Sequence, residues 1–371
     1  MKVPQAMPWI GEEEYRAIAD CFRDAWITEG PKAAVFRAQL LELIGARQGV
    51  FAPNGTLALY LALRALEIGP GDEVLIPDLT FVASANAVQM AGATPVFVDV
   101  DPRHFQMTAH AVERWITPRT RALMPVHLWG TVAVMEPILE LASRRGLLVI
   151  EDAAQAIGVR RNGRHAGTFG HVGAFSFFAD KSLTTAEGGF VVTGDETIAE
   201  RLELLRNQGR RKAGTFVHAQ VGYNFRFTDI QAAIGLVQLA KLPETRRRKL
   251  ENLERYRSWL ADVPQVVCFE PPAGSEWIPF RAPLLCERAG ELMEHLRRHD
   301  IEPRSWFCPL HLQPCYAALA AGQIADAAPA ELFPNAHRAY DLGVLLPVFP
   351  TLSAEQIEHV CRTIRAFYGR R

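Results

Sequence analysis

A chain of 371 residues that is 49% hydrophobic and 22% charged has the makeup of a globular protein large enough for one big domain with a smaller one beside it. Its formal net charge of -1 gives no overall pull toward nucleic acid or an anionic membrane surface, and no stretch is apolar for long enough to span a bilayer. Residues 1–15 lack the apolar core of a signal peptide, so the expectation is a cytoplasmic protein with no nucleic-acid and no membrane partner. The six cysteines, Cys21, Cys268, Cys286, Cys308, Cys315 and Cys361, lack the spacing of a disulfide scaffold and read as free thiols. Cys308, His311 and Cys315 could offer three metal ligands on a short loop, but no fourth ligand is near and prolines interrupt the segment, so no metal site is expected.

In chain order, the spacing of apolar residues predicts helices over 11–24 and 35–44. From about residue 50 to 195, short apolar runs alternate with helical patterns, which implies parallel strands joined by helical crossovers. The strands are predicted at 73–76, 94–98, 122–126, 147–150, 174–178 and 189–193, and the helices at 56–66, 80–90, 134–145 and 197–207. Runs such as Leu147-Leu148-Val149-Ile150 suit strands covered on both faces. Helices over 229–241 and 246–261 flank Leu242-Pro243, where the composition changes. A boundary there divides the chain into a large α/β domain, residues 1–245, and a smaller C-terminal α/β domain, residues 246–371, with further helices at 287–299 and 353–368. The basic run Arg246-Arg247-Arg248-Lys249 reads as a solvated helix face.

Lys181 is one of six lysines in a chain whose positive charge is otherwise arginine. Arginine keeps its proton in proteins, whereas a desolvated lysine amine can become neutral and attack a carbonyl, so a lysine in the hydroxyl- and glycine-rich turn after an apolar run suggests Schiff-base chemistry as well as an ordinary surface residue. Asn54 is a plausible N-cap, and the amides of Gly55 and Thr56 behind it could hold a phosphate at the positive end of a helix, though many such starts bind nothing. Asp152 closes a buried strand at the edge where ligands bind parallel sheets; it either meets a cation or caps the next helix. Lys181 follows one helix and one strand later, with Ser176 on that strand. A lysine, a carboxylate for a pyridine nitrogen and a phosphate cup are together the parts that pyridoxal phosphate requires.

These segments, with Gly69-Pro70-Gly71-Asp72-Glu73-Val74, Gly92-Ala93-Thr94-Pro95-Val96-Phe97-Val98-Asp99-Val100, Pro125-Val126-His127-Leu128, Ile150-Glu151-Asp152-Ala153-Ala154-Gln155 and Val221-Gly222-Tyr223-Asn224-Phe225-Arg226, resemble the DegT-type nucleotide-sugar aminotransferases. The resemblance runs from Trp26 to Pro347. It implies an aspartate-aminotransferase-like fold type I, with a large domain built on a mostly parallel sheet flanked by helices, and pyridoxal 5'-phosphate as cofactor. It also implies that Lys181 forms the internal aldimine and that Asp152 pairs with the pyridinium. Gln155 would bond near the phenolic oxygen and Phe81 would stack on the ring. Gly55, Thr56 and Ser176 would hold the phosphate, with Asn224 reaching in from the second chain of an obligate homodimer that shares its active sites. Thr28, Arg304, Trp306 and His311 match segments that border the sugar nucleotide.

The tail Leu183-Thr184-Thr185-Ala186-Glu187-Gly188-Gly189 is most similar to the perosamine-synthase-type members that aminate carbon 4, with Ala186 standing where a glycine is usual. The implied reaction moves an amino group from L-glutamate to a nucleotide-linked 4-keto-6-deoxyhexose, in glycan, O-antigen or secondary-metabolite sugar synthesis. The alternatives are a carbon-3 or cyclitol aminotransferase on the same scaffold, and a regulatory protein that binds the cofactor without turnover. Arg210-Arg211-Lys212 could face a substrate diphosphate, but reads rather as an exposed loop.

Overall fold

The computed structural model describes residues 1–211, 216–324 and 328–370. Nine strands in chain order, β1 Gln48–Ala52, β2 Glu73–Pro77, β3 Thr94–Val98, β4 Thr120–Leu123, β5 Leu148–Asp152, β6 Arg160–Arg161, β7 Arg164–His165, β8 Val172–Ser176 and β9 Gly189–Thr193, supply the large sheet and one short hairpin. The sheet has seven strands in the order β1-β9-β8-β5-β4-β2-β3, with β6 and β7 forming the hairpin. Neighbours from β8 to β3 run parallel, while β9 is antiparallel to both β8 and β1. Strands β2, β8 and β9 are buried along their whole length, so apart from Glu73, which is paired with Arg119, their sequences are continuously apolar or small instead of alternating.

The two faces of the sheet feed two cores. Val50 and Ala52 enter one and Phe51 the other, as successive strand residues must. Phe51 stacks on Phe227 with ring centroids 4.2 Å apart. The helix Gly55–Ala65 lies against β8 and β9. This is the expected α/β architecture, although the element ends shift: the strand predicted at 147–150 runs to Asp152, and that predicted at 174–178 stops at Ser176. Between Asp152 and β8 the chain forms turns and the β6–β7 hairpin, not the expected helix.

The C-terminal part adds β10 Val266–Cys268, β11 Ala282–Cys286, β12 Arg304–Ser305 and β13 Gly343–Leu346, an antiparallel sheet in the order β10-β11-β13-β12. One helix, Asp229–Leu260, connects the two sheets, where two helices broken at Leu242-Pro243 are predicted. Pro243 is exposed and removes only one hydrogen bond, whereas buried Leu242, Thr245, Lys249, Asn252 and Tyr256 hold the helix along both cores. The helix passes through residues 245 and 246. Val3 pairs with Ile301 in an isolated parallel bridge, so the first residues fold onto the C-terminal part of the chain. Among the described residues no helix is long and apolar enough to cross a membrane.

Candidate active site

Three backbone ends meet at the C-terminal edge of the parallel strands. The turn after β1 opens the helix Gly55–Ala65, whose N-cap Asn54 accepts the Leu57 amide at 3.0 Å through Oδ1. Capping uses one first-turn amide and leaves those of Gly55 and Thr56 without intrahelical acceptors, at the positive end of the helix dipole. Ser176 closes β8 against this turn. A Cβ on Gly55 would stand 2.7 Å from the Ser176 Cβ, so only glycine allows the serine hydroxyl so near the helix start.

Asp152 closes β5 and is 5% exposed. Its Oδ2 accepts the Ser84 hydroxyl at 2.7 Å and its Oδ1 accepts the Ala154 amide at 3.1 Å, so it does not cap a helix. Burial pushes this carboxyl above the ordinary carboxylate range, and Ser84, Ala154 and Lys181 pull it back. Beneath it, fully buried His127 receives the Ala133 amide at Nδ1, so its Nε2 carries the proton and donates to Glu151 at 2.8 Å. Glu151 also accepts the amides of Gly167 and Gly170, which fixes the strand end that presents Asp152.

Lys181 sits on a turn that follows β8, with its amide donating to Phe178 O at 2.9 Å. The turn closes when Phe177 receives the Thr185 amide and donates its own to Gly188. Ala186 is held at φ +67°, the left-handed region that favours glycine. The Lys181 amine lies 3.9 Å from Asp180 Oδ1 and 4.2 Å over the Phe280 ring. Burial pulls the pKa of this amine below the usual lysine range; Arg281 adds to the fall, and Asp180 and Asp152 oppose it.

These groups line one cleft of about 870 Å³. Of the residues expected from sequence, Gly55, Thr56, Phe81, Asp152, Gln155, Ser176, Lys181, Arg304 and Trp306 border it. Gln155 accepts the Trp129 amide at 2.9 Å through Oε1, which leaves its Nε2 as the donor for the cleft. Phe81 is 57% exposed and faces Phe307 with centroids 6.0 Å apart. Trp306 is nearly all core, packed on Trp129 at 5.2 Å.

The other three expected residues stand elsewhere. Thr28 and Asn224 are exposed and do not border the cleft; the Thr28 carbonyl caps Asp229, and Asn224 pairs with Asn207 across an antiparallel bridge. His311 is held by Asp78 through both its amide and Nδ1, the latter at 2.6 Å, with His337 3.0 Å from its Nε2. Among the described residues no three His, Cys, Asp or Glu side chains are grouped to hold a metal ion. Arg210 bonds Asn207, and Lys212 lies outside the described residues. Sequence reading passed over Asp180, Arg281, Ser84 and Phe307, all at or behind the cleft wall; only Asp180, beside Lys181, carried a local signal.

The DegT/DnrJ/EryC1/StrS aminotransferase family model matches residues 8–365. The chain is 38% identical to the GDP-perosamine synthase of Escherichia coli O157:H7 over 372 residues, 99% of this chain and 99% of that protein. It superposes on DesV of S. venezuelae, solved in complex with a ketimine intermediate, with a TM-score of 0.89 and 38% identity, covering 97% of this chain and 95% of that one. Spr1654 of Streptococcus pneumoniae, a sugar aminotransferase by its description and solved in its PLP form, superposes with a TM-score of 0.92 at 27% identity, covering 99% of this chain and 98% of that one.

Proposed function

We infer the reaction from one premise: this chain belongs to the DegT/DnrJ/EryC1/StrS aminotransferase family and is a pyridoxal phosphate-dependent aminotransferase. The cleft fits that cofactor. Asp152 is a buried carboxylate to which, among the described residues, no cation is hydrogen-bonded, and Gly55 leaves open a cradle that a Cβ would fill.

Each residue role is our assignment. Asp152 holds the proton on the ring nitrogen, and the same burial that raises its pKa makes a cationic partner the favourable one. The amides of Gly55 and Thr56 and the Ser176 hydroxyl bind the phosphate, Phe81 covers one ring face and the Gln155 Nε2 donates near the phenolic oxygen. When bound, pyridoxal phosphate supplies the electron sink that makes a proton on the donor's α-carbon removable. The Lys181 Nζ, whose burial eases the loss of its proton, would hold the cofactor covalently and, once freed, would serve as the base and acid that moves the proton from the donor's α-carbon. Water would supply the oxygen with which the donor leaves as a keto acid, its amino group staying with the cofactor, and when the keto sugar enters Lys181 would run the same transfers in reverse.

The acceptor is a nucleotide-linked 4-keto-6-deoxyhexose aminated at carbon 4, and L-glutamate is the donor. The likeness to a GDP-perosamine synthase along both whole chains and the turn Thr184-Thr185-Ala186-Glu187-Gly188-Gly189 support this. Arg304 and Trp306 border the sugar nucleotide; Thr28 and His311, away from this chain's own cleft, act at the subunit boundary or by support. A homodimer completes each site with Asn224 of the partner subunit. Phe216, Val217 and Val221, which are 91%, 78% and 84% exposed in the segment leading to Asn224, support that, because an apolar loop this bare in one chain suits a face covered by another. The cofactor-binding unit 1–245, the smaller unit 246–371 and a cytoplasmic location belong to the same reading.

One observation carries the proposal: a buried lysine amine, a buried carboxylate and an open helix start share one cleft. The purified protein loaded with cofactor is expected to absorb visible light, and Lys181→Ala to lose that band; a colourless loaded wild type would sink the assignment. GDP-, dTDP- and UDP-linked keto sugars offered with glutamate test the acceptor. Turnover confined to 3-keto substrates overturns carbon 4.

A further inference from the structure

We propose that Trp129 is a positioning residue for the reaction: its buried ring holds a left-handed backbone, and that backbone aims the Gln155 side-chain amide into the cleft and fixes Phe280 against Lys181. The proposal rests on the reading of Gln155 and Lys181 given above.

Trp129 is fully buried and does not itself border the cleft. It lies at φ +57° and ψ +17°, a conformation that strains any residue with a β-carbon and is rare for one this bulky. Its groups nevertheless reach four residues of the cleft wall, on three separate segments of the chain. The backbone amide donates to Gln155 Oε1 at 2.9 Å, which leaves the Gln155 Nε2 for the cleft. The carbonyl accepts the Phe280 amide at 3.1 Å and the Trp277 indole N–H at 2.8 Å, and the Phe280 ring in turn lies 4.2 Å from the Lys181 amine. The Trp129 ring stacks on Phe307, with centroids 5.2 Å apart and planes 10° apart, and packs on Trp306 at 5.2 Å.

Gly130 follows at φ +80°, where a Cβ would stand 1.9 Å from Ile278 O, and its own carbonyl accepts the Ile278 amide at 3.1 Å. Two left-handed residues in succession therefore turn the chain between Gln155 on one side and residues 277–280 on the other. Glycine would adopt the first of these positions without strain, yet tryptophan stands there. Its Nε1 has no hydrogen-bond partner among the described residues, so the ring is not kept for its N–H. What the ring contributes is apolar area against Phe307 and Trp306, and that packing offsets the backbone strain.

The test titrates the visible band of the loaded, full-length protein with pH. A hydrogen bond given to the cofactor's phenolic oxygen favours its negative form and lowers the midpoint, so Gln155→Leu, which cannot donate, should raise it by about half to one pH unit. Trp129→Ala keeps the β-carbon that strains the backbone and loses the ring that holds it; the amide then leaves Gln155 and the midpoint should rise by a similar amount. Trp129→Gly leaves a larger void but an unstrained left-handed backbone, and should bring the midpoint back close to wild type. A residue that only filled space would give the opposite order, with glycine the worse. None of these substitutions alters Asp180, Arg281 or Asp152, the charged groups that face Lys181.

In the chain cleared of cofactor, amide exchange of residues 277–281, followed by mass spectrometry, should keep the same order: about tenfold faster in Trp129→Ala, near wild type in Trp129→Gly. If Trp129→Ala does not fold, Trp129→Leu keeps the β-carbon with more burial and takes its place. A midpoint shifted as far in the glycine variant as in the alanine one overturns the proposal. A midpoint unmoved in Gln155→Leu sinks the reading of Gln155 instead, and the exchange order, which needs no cofactor, then decides: exchange in Trp129→Gly as fast as in Trp129→Ala overturns the proposal.

Discussion

At Asp152, burial and hydrogen bonding act on one carboxylate in opposite directions, and the ligand decides which prevails. Asp152→Asn keeps the shape and can still accept from Ser84 but cannot hold a proton on a ring nitrogen. The expected outcome is a protein that folds and binds cofactor with kcat lowered about 10²- to 10⁴-fold, measured by coupled assay; a loss under tenfold would argue against the role. Ala186 tests the neighbouring turn. It is exposed and held at φ +67°, so Ala186→Gly loses no packing and relieves a left-handed alanine, raising stability by about 0.5 to 1 kcal/mol in urea unfolding. A destabilised variant would show that the turn does not need that conformation. Residues set at strand ends and helix starts, such as Gly55, Asp152, Ser176 and Lys181, were legible because their local sequence fixes where the chain delivers them. Arg281 and Lys249 were not: each reaches the surroundings of Lys181 from a distant element, and the basic run containing Lys249 read as solvated although the helix buries that one position.

Elements differ in how plainly they announce themselves. The helix after Asn54 has its cap and its apolar face in one local run, and it forms where expected. β1 went unread because Gln48-Gly49-Val50-Phe51-Ala52 is short and, being buried on nearly every side, does not alternate. The break at Leu242-Pro243 was over-read: proline predicts an interruption, yet tertiary burial on both sides outweighs one lost hydrogen bond. Pro243 therefore carries a cost the helix tolerates. Pro243→Ala, at an exposed position, should restore the bond and stabilise the protein by about 2 kcal/mol, the helix-interior penalty less the entropy a proline removes from the unfolded chain. An unchanged or lower denaturation midpoint would mean that the local backbone has adapted to the ring.

The whole molecule should weaken in acid partly through one histidine. His165, 1% exposed, accepts the Gly158 amide at Nε2, and burial depresses its pKa from 6.5 to about 4. In the unfolded chain it takes up a proton near pH 6.5, which the folded form refuses until about pH 4. Stability is thus intact above about pH 6.5 and falls as pH drops toward 4, by about 3 kcal/mol from this group. Urea unfolding of His165→Gln across that window should show a shallower decline than wild type, whatever its absolute stability; an equal slope would assign the acid limb to carboxylates such as Glu14 and Glu136.

The arrangement of the sheet also bears on how the chain is made. β1 lies at the sheet edge and bonds only β9, whose residues come about 140 positions later, so the first strand synthesised has no mate until the last strand of the sheet arrives. Until then its hydrogen-bonding edge and Phe51 remain open to other nascent chains. Fragments that stop before Gly189 should aggregate, and solubility should return once β9 has emerged. Synthesis paused within that interval is the stage at which a chaperone would matter most to this protein.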